Sequence, residues 1–135
     1  MALQLSITAR NARLDAIETT IGTAPILTIR TGSAPADCAT ANSGTVLATL
    51  TLPSDWMANA ASGSKAKSGT WQDASADNAG TAAHFRIHDS TGTTCHLQGT
   101  VTATGGGGDL TLDNTNIAAG QTVTITSFTL TDGNA

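Results

Sequence analysis

The chain has 135 residues, a formal net charge of −4 and 12% charged side chains, which fits a single domain over residues 1–135 with one modest core. Six Lys and Arg residues stand against ten Asp and Glu, and no basic residue follows Arg86, so a nucleic-acid partner is not expected. No apolar run approaches the roughly 20 residues of a membrane span, and a membrane partner is not expected either.

Apolar and polar residues alternate at the start of the chain. This period of two is typical of a strand, so residues 1–7 are predicted to form a short strand or an arm that reaches toward a neighbouring protein. Large apolar side chains also occur in a predicted loop that follows Pro53. The candidate interface residues are Leu3, Leu5, Ile7, Trp56 and Met57.

One helix is predicted over residues 8–22. Thr8 can cap its N-terminus through the side-chain hydroxyl, and Gly22 stands where a left-handed C-terminal cap belongs. Arg10 and Arg13 lie off the apolar stripe of this helix and are expected to face solvent. The stripe consists of Leu14, Ile17 and Ile21.

Beyond the helix the period is two, which predicts strands and turns for the rest of the chain. Strands are expected at 26–31 and 46–52, with an excursion rich in turn residues at 32–44 between them. Residues 65–73 alternate weakly and contain two lysines, as a guarded edge strand does. The predicted fold class is mainly β: an antiparallel β-sandwich or jelly roll over 25–135, with one short N-terminal α-helix. A small barrel is the alternative.

The clearest hairpin has Phe85 and Ile87 on its first strand, with histidines and an arginine on the opposite face. Matching apolar residues across the hairpin predicts that Ile87 opposes Cys95 and that Phe85 opposes Leu97. This register requires a three-residue loop at 90–92 with a left-handed glycine. It also predicts that Cys95 points into the core.

The last predicted strand changes parity. Val123 and Ile125 share one face, whereas Phe128 and Leu130 share the other. A bulge at 126–127 would turn all four side chains inward.

Three histidines raise the question of a metal site. His84 and His88 lie four residues apart, and Cys95 and His96 are on the paired strand. Residues four apart on a strand are separated by about 13 Å, too far to share one ion with ligand bonds of about 2 Å. In the predicted register Arg86 also neighbours His96 and repels a cation. Neither a metal ion nor another cofactor is expected.

A short segment rich in Asp and Asn could supply oxygen ligands for calcium. The ligand spacing of a calcium loop is missing, and the single Glu of the chain lies in the predicted helix. We interpret these residues as turns between strands. They are Asp109, Asp113, Asn114 and Asn116.

Known catalytic motifs are missing from the sequence. It contains no G-x-S-x-G elbow, and the glycine run at 105–108 lacks the Lys-Ser/Thr of a phosphate loop. We therefore predict that the chain is not an enzyme. Cys38 and Cys95 are expected to be reduced thiols, since the chain does not open with a secretion signal, and the sequence leaves open whether they pair.

Four segments carry a resemblance to a known class of proteins. They are LSITARNARLDAI at 5–17, LTIRTGSAPA at 27–36, AHFRIHDSTG at 83–92 and IAAGQTVTITSFTL at 117–130. The chain resembles the small structural virion proteins of tailed bacteriophages and prophages, and the likeness covers most of its length.

The resemblance implies a capsid cement or decoration protein with a jelly-roll-like fold and no catalytic residues. Its partners would be the major capsid protein and other copies of itself. It would be assembled in the bacterial cytoplasm and located on the capsid surface of the virion. The alternatives are a tail component, such as a tube, collar or fibre-base subunit, and a sugar-binding or host-adhesion module. The last of these predicts an exposed Trp56 or Trp71.

Overall fold

The chain is mainly β, with one short helix. The computed structural model describes residues 3–133. Its elements are α1 Ile7–Ile21, β1 Ile26–Arg30, β2 Val46–Thr51, β3 Ser64–Ala66, β4 Trp71–Asp73, β5 Gly80–Thr81, β6 His84–His88, β7 Cys95–Ala103, β8 Leu110–Leu112, β9 Asn116–Ile117, β10 Val123–Ile125 and β11 Thr129–Thr131.

The largest sheet has five strands in the order β2-β1-β6-β7-β8. Its neighbours are antiparallel except for β7 and β8, which run parallel. Three two-stranded ribbons pair β4 with β10, β3 with β11 and β5 with β9. Each ribbon joins strands that are distant in sequence, so the last third of the chain holds the middle third in place.

The parallel pair is joined by an unusually short connection. Parallel neighbours ordinarily need a long crossover, whereas residues 104–109 suffice here. Glycine makes this possible, because a Cβ on Gly108 would lie 2.8 Å from Thr102 Oγ1. Asp109 closes the return by accepting hydrogen bonds from the backbone N–H and the hydroxyl of Thr100, at 2.9 and 3.0 Å. The glycine run is thus part of a tight turn.

The helix begins one residue earlier than predicted, and a different residue caps it. Ser6 Oγ accepts a hydrogen bond from the N–H of Ala9 at 3.1 Å, so Thr8 lies inside the first turn. Both residue types cap helices well, and the sequence pattern did not distinguish them. Gly22 ends the helix, as predicted, and its N–H donates to Glu18 O at 2.9 Å. Its φ of +91° is positive, but its ψ of −170° is extended, so the cap is not the predicted left-handed one.

The hairpin of β6 and β7 forms in a register two residues away from the predicted one. Ile87 opposes Leu97, and Phe85 opposes Gly99. Gly99 leaves room for the aromatic ring, because a Cβ at this position would lie 2.8 Å from Phe85 Cε1. Matching large side chains across the hairpin was therefore the wrong criterion.

The hairpin turn is longer than predicted because Asp89 belongs to it. The backbone N–H of Asp89 donates to Thr94 O at 3.0 Å, and its carboxylate accepts from the Thr91 hydroxyl at 2.6 Å and the Thr93 N–H at 3.1 Å. These hydrogen bonds lower the pKa of Asp89 to about 2. Gly92 does take the predicted left-handed conformation, with a φ of +73°.

Two other strand predictions need correction. The expected bulge at 126–127 is a break between β10 and β11, which pair with different strands. The break buries Phe128 and leaves Leu130 half-buried against the core. The expected edge strand at 65–73 is two strands, β3 and β4, and its Lys65 side chain is buried.

A chain of four aromatic rings runs through the core. Trp71 of β4 lies between Trp56 and Phe128, with ring centroids 5.9 and 5.4 Å away. Phe128 meets Phe85 of β6 edge to face at 5.7 Å. The indole N–H of Trp56 donates to Gly22 O at 2.9 Å, which ties the end of the helix to this chain. The aromatic rings therefore connect the helix and a ribbon to the five-stranded sheet.

The helix is fixed to β3 by a buried lysine. Lys65 Nζ lies 2.6 Å from Asp15 Oδ1 and 2.7 Å from Glu18 Oε2, and it also donates to Ala58 O at 2.9 Å. Arg10, expected to face solvent, donates instead to Asp132 O at 3.0 Å. The polar side of the helix is therefore held by specific contacts.

These ion pairs make stability depend on pH in a predictable direction. The hydrogen bond from Lys65 lowers the pKa of Asp15. Burial acts to lower the pKa of Lys65, but its hydrogen bonds to Asp15 and Glu18 outweigh burial and raise it. The contribution of Asp15 to the free energy of unfolding is fully present above its unfolded pKa of about 3.9. It is lost as the pH falls through the lower pKa of the folded state. The contribution of Lys65 to the free energy of unfolding is fully present below its unfolded pKa of about 10.4. It is lost as the pH rises through the raised pKa of the folded state.

We therefore expect Lys65→Met to lower the melting temperature at pH 7, and we expect its difference from the wild type to shrink below about pH 3. Thermal unfolding followed by circular dichroism across this range measures both. Lys67→Met is the matched control, because Lys67 Nζ donates to Gly69 O rather than to a carboxylate. If the melting temperatures of Lys65→Met and the wild type differ by the same amount from pH 7 to pH 2, the ion pairs of Lys65 do not contribute to stability as proposed.

Candidate functional site

Two large apolar side chains are exposed among the described residues, and both belong to the predicted arm. Leu3 is 87% exposed and Ile7 is 54% exposed. Leu5 between them is half-buried, and residues 3–6 form neither a helix nor a strand. We call residues 3–7 the arm. Of the predicted range 1–7, residues 1 and 2 lie outside the described residues.

Ile7 is exposed because the apolar stripe of the helix is longer than the surface on which it packs. Ile7, Leu14 and Ile21 are seven residues apart and therefore share one helix face. Leu14 and Ile21 are buried, at 3% and 4% exposure. The first turn of the helix thus leaves the side chain of Ile7 about half exposed.

The other two predicted interface residues lie in the core and not on the surface. Trp56 is 0% exposed and Met57 is 1% exposed, because the loop that carries them packs inward against Trp71. This placement corrects the predicted interface, which is reduced to the arm. Trp71 is also 0% exposed, so neither tryptophan offers the exposed platform that a sugar-binding module would need.

The outer face of the helix borders two shallow hollows. Arg13, Ala16 and Ile17 line both, and His96 of β7 lines one of them. Arg13 is largely exposed, as predicted, although its Nε lies 3.2 Å from Asp132 Oδ2. This face therefore presents Ala16, which is exposed, and Ile17, which is half-buried, as apolar surface.

A polar layer lies beneath a long loop on the other face of the sheet. We call residues 31–45 the covering loop. Its ends are joined, since Thr31 N–H donates to Thr45 O at 3.1 Å and Thr45 N–H donates to Thr31 Oγ1 at 2.9 Å. Gly44 allows this closure: with a φ of +73°, it could not carry a Cβ, which would lie 2.0 Å from Thr31 O. The side chains of the layer, all buried, are Thr28, Arg30, His84, Arg86 and His88.

Arg86 holds the covering loop to the sheet. Its guanidinium donates to the carbonyl oxygens of Asp37, Cys38 and Thr40 at 3.0–3.2 Å and to Asn42 Oδ1 at 2.7 Å. The covering loop has no strand or helix to satisfy these carbonyls, so the arginine takes that role. The side chain is only 1% exposed.

Two further side chains satisfy carbonyls at the start of the covering loop. His84 Nδ1 donates to Gly32 O at 2.6 Å, and Gln98 Nε2 donates to Pro35 O at 2.8 Å. Nε2 of His84 finds no hydrogen-bond partner within residues 3–133. These contacts explain why polar residues of β6 are buried and why Gln98 of β7 is half-buried.

The polar layer carries positive charge that opposes cation binding. Burial, followed by repulsion from Arg86 and Arg30, lowers the pKa of His88, so its imidazole is neutral at pH 7. Burial and the charge of Arg86 also lower the pKa of Arg30. Across residues 3–133, His, Cys, Asp and Glu side chains form no group of three that could hold a metal ion. His96, predicted to neighbour Arg86, lies beside the helix, and Gln98 opposes Arg86 instead.

The two cysteines meet at the edge of this layer. Cys95 opposes His88 and not Ile87, so it points toward the covering loop, whereas the predicted register placed it in the core. Its Sγ lies 2.7 Å from Sγ of Cys38, and both residues are free thiols. The sequence predicted this loop as an excursion at 32–44, but it did not predict that the loop lies over the sheet and contacts β7, because that placement depends on long-range packing.

The Asp and Asn residues considered for calcium have separate structural roles. Asn114 Oδ1 accepts from the N–H of Asn116 at 2.9 Å, which is the predicted turn. Asn116 Oδ1 accepts from the hydroxyl of Thr81 at 3.2 Å across the β5–β9 ribbon. Asp109 binds Thr100. Asn114 and Asn116 thus serve one turn and the adjoining ribbon, whereas Asp109 binds β7.

The chain matches no family model, no curated protein and no solved structure. No helix within residues 3–133 has both the length and the apolar character needed to cross a bilayer.

Proposed function

We propose that this chain is a non-enzymatic structural protein of a tailed-bacteriophage virion, and that it binds the head shell as a cement or decoration protein. The observation that supports this best is the arm, which extends apolar side chains beyond the core that could bury them. Cement proteins stabilise a shell by binding its assembled form preferentially. Many copies that each bury a small apolar area give a large total effect. The resemblance of four segments to small virion proteins supports the same role.

The jelly-roll class is part of this proposal. A jelly roll has two sheets packed face to face over a common core. The aromatic chain that links Trp71 of β4 to Phe85 of β6 is what such packing would produce between a ribbon layer and the five-stranded sheet. The chain would bind the major capsid protein through the arm, together with other copies of itself.

Leu3→Asp combined with Ile7→Asp tests the arm. We expect binding to heads that lack the protein to fall at least about tenfold, because a buried Leu or Ile side chain contributes about 1.5–3 kcal/mol and tenfold in affinity is about 1.4 kcal/mol. Substitution is preferable to deletion, since Ser6 caps the helix. The fold should persist, because an Asp in the first helical turn is favourable. Co-sedimentation with purified heads measures the affinity.

Ser90→Asp combined with Ala119→Asp is the matched control. It adds the same charge at exposed turn residues elsewhere in the chain and should leave head binding unchanged. Equal binding by the arm variant and the wild type would refute the arm as the contact. Binding of the wild type to purified tails but not to heads would instead favour the tail component.

A further inference from the structure

The placement of Cys38 and Cys95 joins two segments that are distant in sequence. The residues are 57 positions apart. Cys38 belongs to the covering loop, whereas Cys95 begins β7. Each is partly exposed, and both line a cavity under the covering loop together with Arg86 and His88. An oxidant of small size can therefore reach a pair of thiols whose sulfur atoms are already in contact.

We propose that Cys38 and Cys95 are a redox-sensitive pair that closes to a disulfide when the folded chain meets a low-molecular-weight disulfide such as oxidised glutathione. One thiolate attacks a sulfur of the oxidant, forms a mixed disulfide and releases one glutathione thiolate. The second thiolate attacks the protein sulfur of that mixed disulfide and releases the other glutathione. Two cysteines are oxidised, one glutathione disulfide is reduced to two glutathione thiols, and the protons of the two cysteine thiols pass through solvent to the leaving thiolates.

The surroundings of the pair favour an internal bridge over other products. Arg86 binds the carbonyl of Cys38 and so holds the covering loop in place beside β7. Burial, reinforced by the contact with Cys95, raises the pKa of Cys38 to about 11, so this thiol is protonated at neutral pH and weakly reactive alone. Once Cys95 carries a mixed disulfide, its thiol no longer helps to raise the pKa of Cys38, whereas Arg86 still acts to lower it. The Cys38 sulfur is then the nearest thiol to resolve the mixed disulfide.

The bridge would fasten the covering loop covalently to the sheet. A link between residues this far apart removes much chain entropy from the unfolded state. In a virion protein, a role that rests on the function proposed above, the bridge would form after release from the reducing host cytoplasm and would fix the loop after assembly. The chemistry itself is independent of that role.

The test starts with the full chain purified with reductant and then transferred to oxidised glutathione. Trypsin cleaves after Arg30, Lys65 and Arg86 and not beyond, so a disulfide would join peptides 31–65 and 87–135 within one chain. We expect this cross-linked pair as the main product by mass spectrometry, and we expect unreduced chains to run as single chains, without disulfide-linked dimers, on a denaturing gel. We also expect the melting temperature to rise by about 5–10 °C on oxidation and to return on reduction.

Cys38→Ser and Cys95→Ser are the controls, each with one thiol left. The melting temperature of neither variant should rise in oxidised glutathione. Both variants should fold like the reduced wild type, because the hydroxyl of Ser has nearly the size of the thiol of Cys. Disulfide-linked dimers, or stable glutathione adducts on both cysteines of the wild type, would overturn the proposal. Because this readout needs no capsid, it can succeed or fail independently of the proposed function.

Discussion

Replacing Arg86 with Met is expected to lower the free energy of unfolding by about 3 kcal/mol or more. The substitution removes four hydrogen bonds to the covering loop. It leaves the carbonyl oxygens of Cys38 and Thr40 facing an apolar side chain, whereas Asp37 O still accepts from the N–H of Thr40 at 3.3 Å. Each unsatisfied buried acceptor costs about 1–3 kcal/mol. Met itself avoids the cost of burying a charge, which offsets part of this loss. Urea unfolding followed by circular dichroism measures the net change.

Arg13→Met is the matched control for Arg86→Met, since it removes the same charge from an exposed side chain. Arg13 is 64% exposed in its contact with Asp132, and such ion pairs contribute at most about 1 kcal/mol. If Arg86→Met lowers the free energy of unfolding by less than about 1 kcal/mol, and no more than Arg13→Met does, the covering loop does not depend on Arg86. Limited proteolysis should also cut the covering loop faster in Arg86→Met than in Arg13→Met.

Replacing Trp71 with Ala is expected to destabilise the domain by about 3–5 kcal/mol. Its side chain is fully buried between Trp56 and Phe128, so the substitution leaves a large cavity at the centre of the aromatic chain. It also removes the donor to Ser68 O at 3.1 Å. Domains of this size have a total stability of about 5–15 kcal/mol, so the variant should be close to unfolding at 37 °C.

Trp71→Phe keeps a ring in the same place and should lose less than half as much stability as Trp71→Ala. Leu3→Ala provides the surface comparison, because Leu3 is 87% exposed and such substitutions usually change stability by less than about 0.5 kcal/mol. Equal losses in Trp71→Ala and Leu3→Ala would mean that the core is not organised around the aromatic chain.

Local patterns in the sequence predicted the helix and several strands well. The helix predicted at 8–22 is observed at Ile7–Ile21, and the strand predicted at 46–52 is observed at Val46–Thr51. Both segments have clear end signals, in Gly22 and Pro53, that depend only on neighbouring residues. The mainly β class followed from the same signals.

Strand pairing could not be predicted equally well, because it depends on which residues meet in space. The hairpin register was inferred from large apolar partners, whereas the fold places Phe85 over Gly99. The strand of Trp71, β4, pairs with β10, and the strand that follows Phe128, β11, pairs with β3, each in a two-stranded ribbon. No local pattern identifies such partners.

The candidate site was predicted in part. Leu3 and Ile7 of the arm are exposed, but Trp56 and Met57 are buried. The loop that carries these two residues packs into the core, where Trp56 contacts Trp71. The polar layer was missed for a related reason: alternating polar residues normally face solvent, and nothing near Arg86 in sequence indicates that the covering loop lies over it. The four acceptors of that arginine lie 44 to 49 residues earlier in the chain.

The most direct test of the proposed function is a cryo-EM map of the tailed-bacteriophage virion to which we propose that this chain belongs. We predict density for the chain on the outside of the head, repeated with the capsid lattice, with the arm between neighbouring shell subunits. Density confined to the tail, or virions that lack the chain altogether, would contradict the cement role.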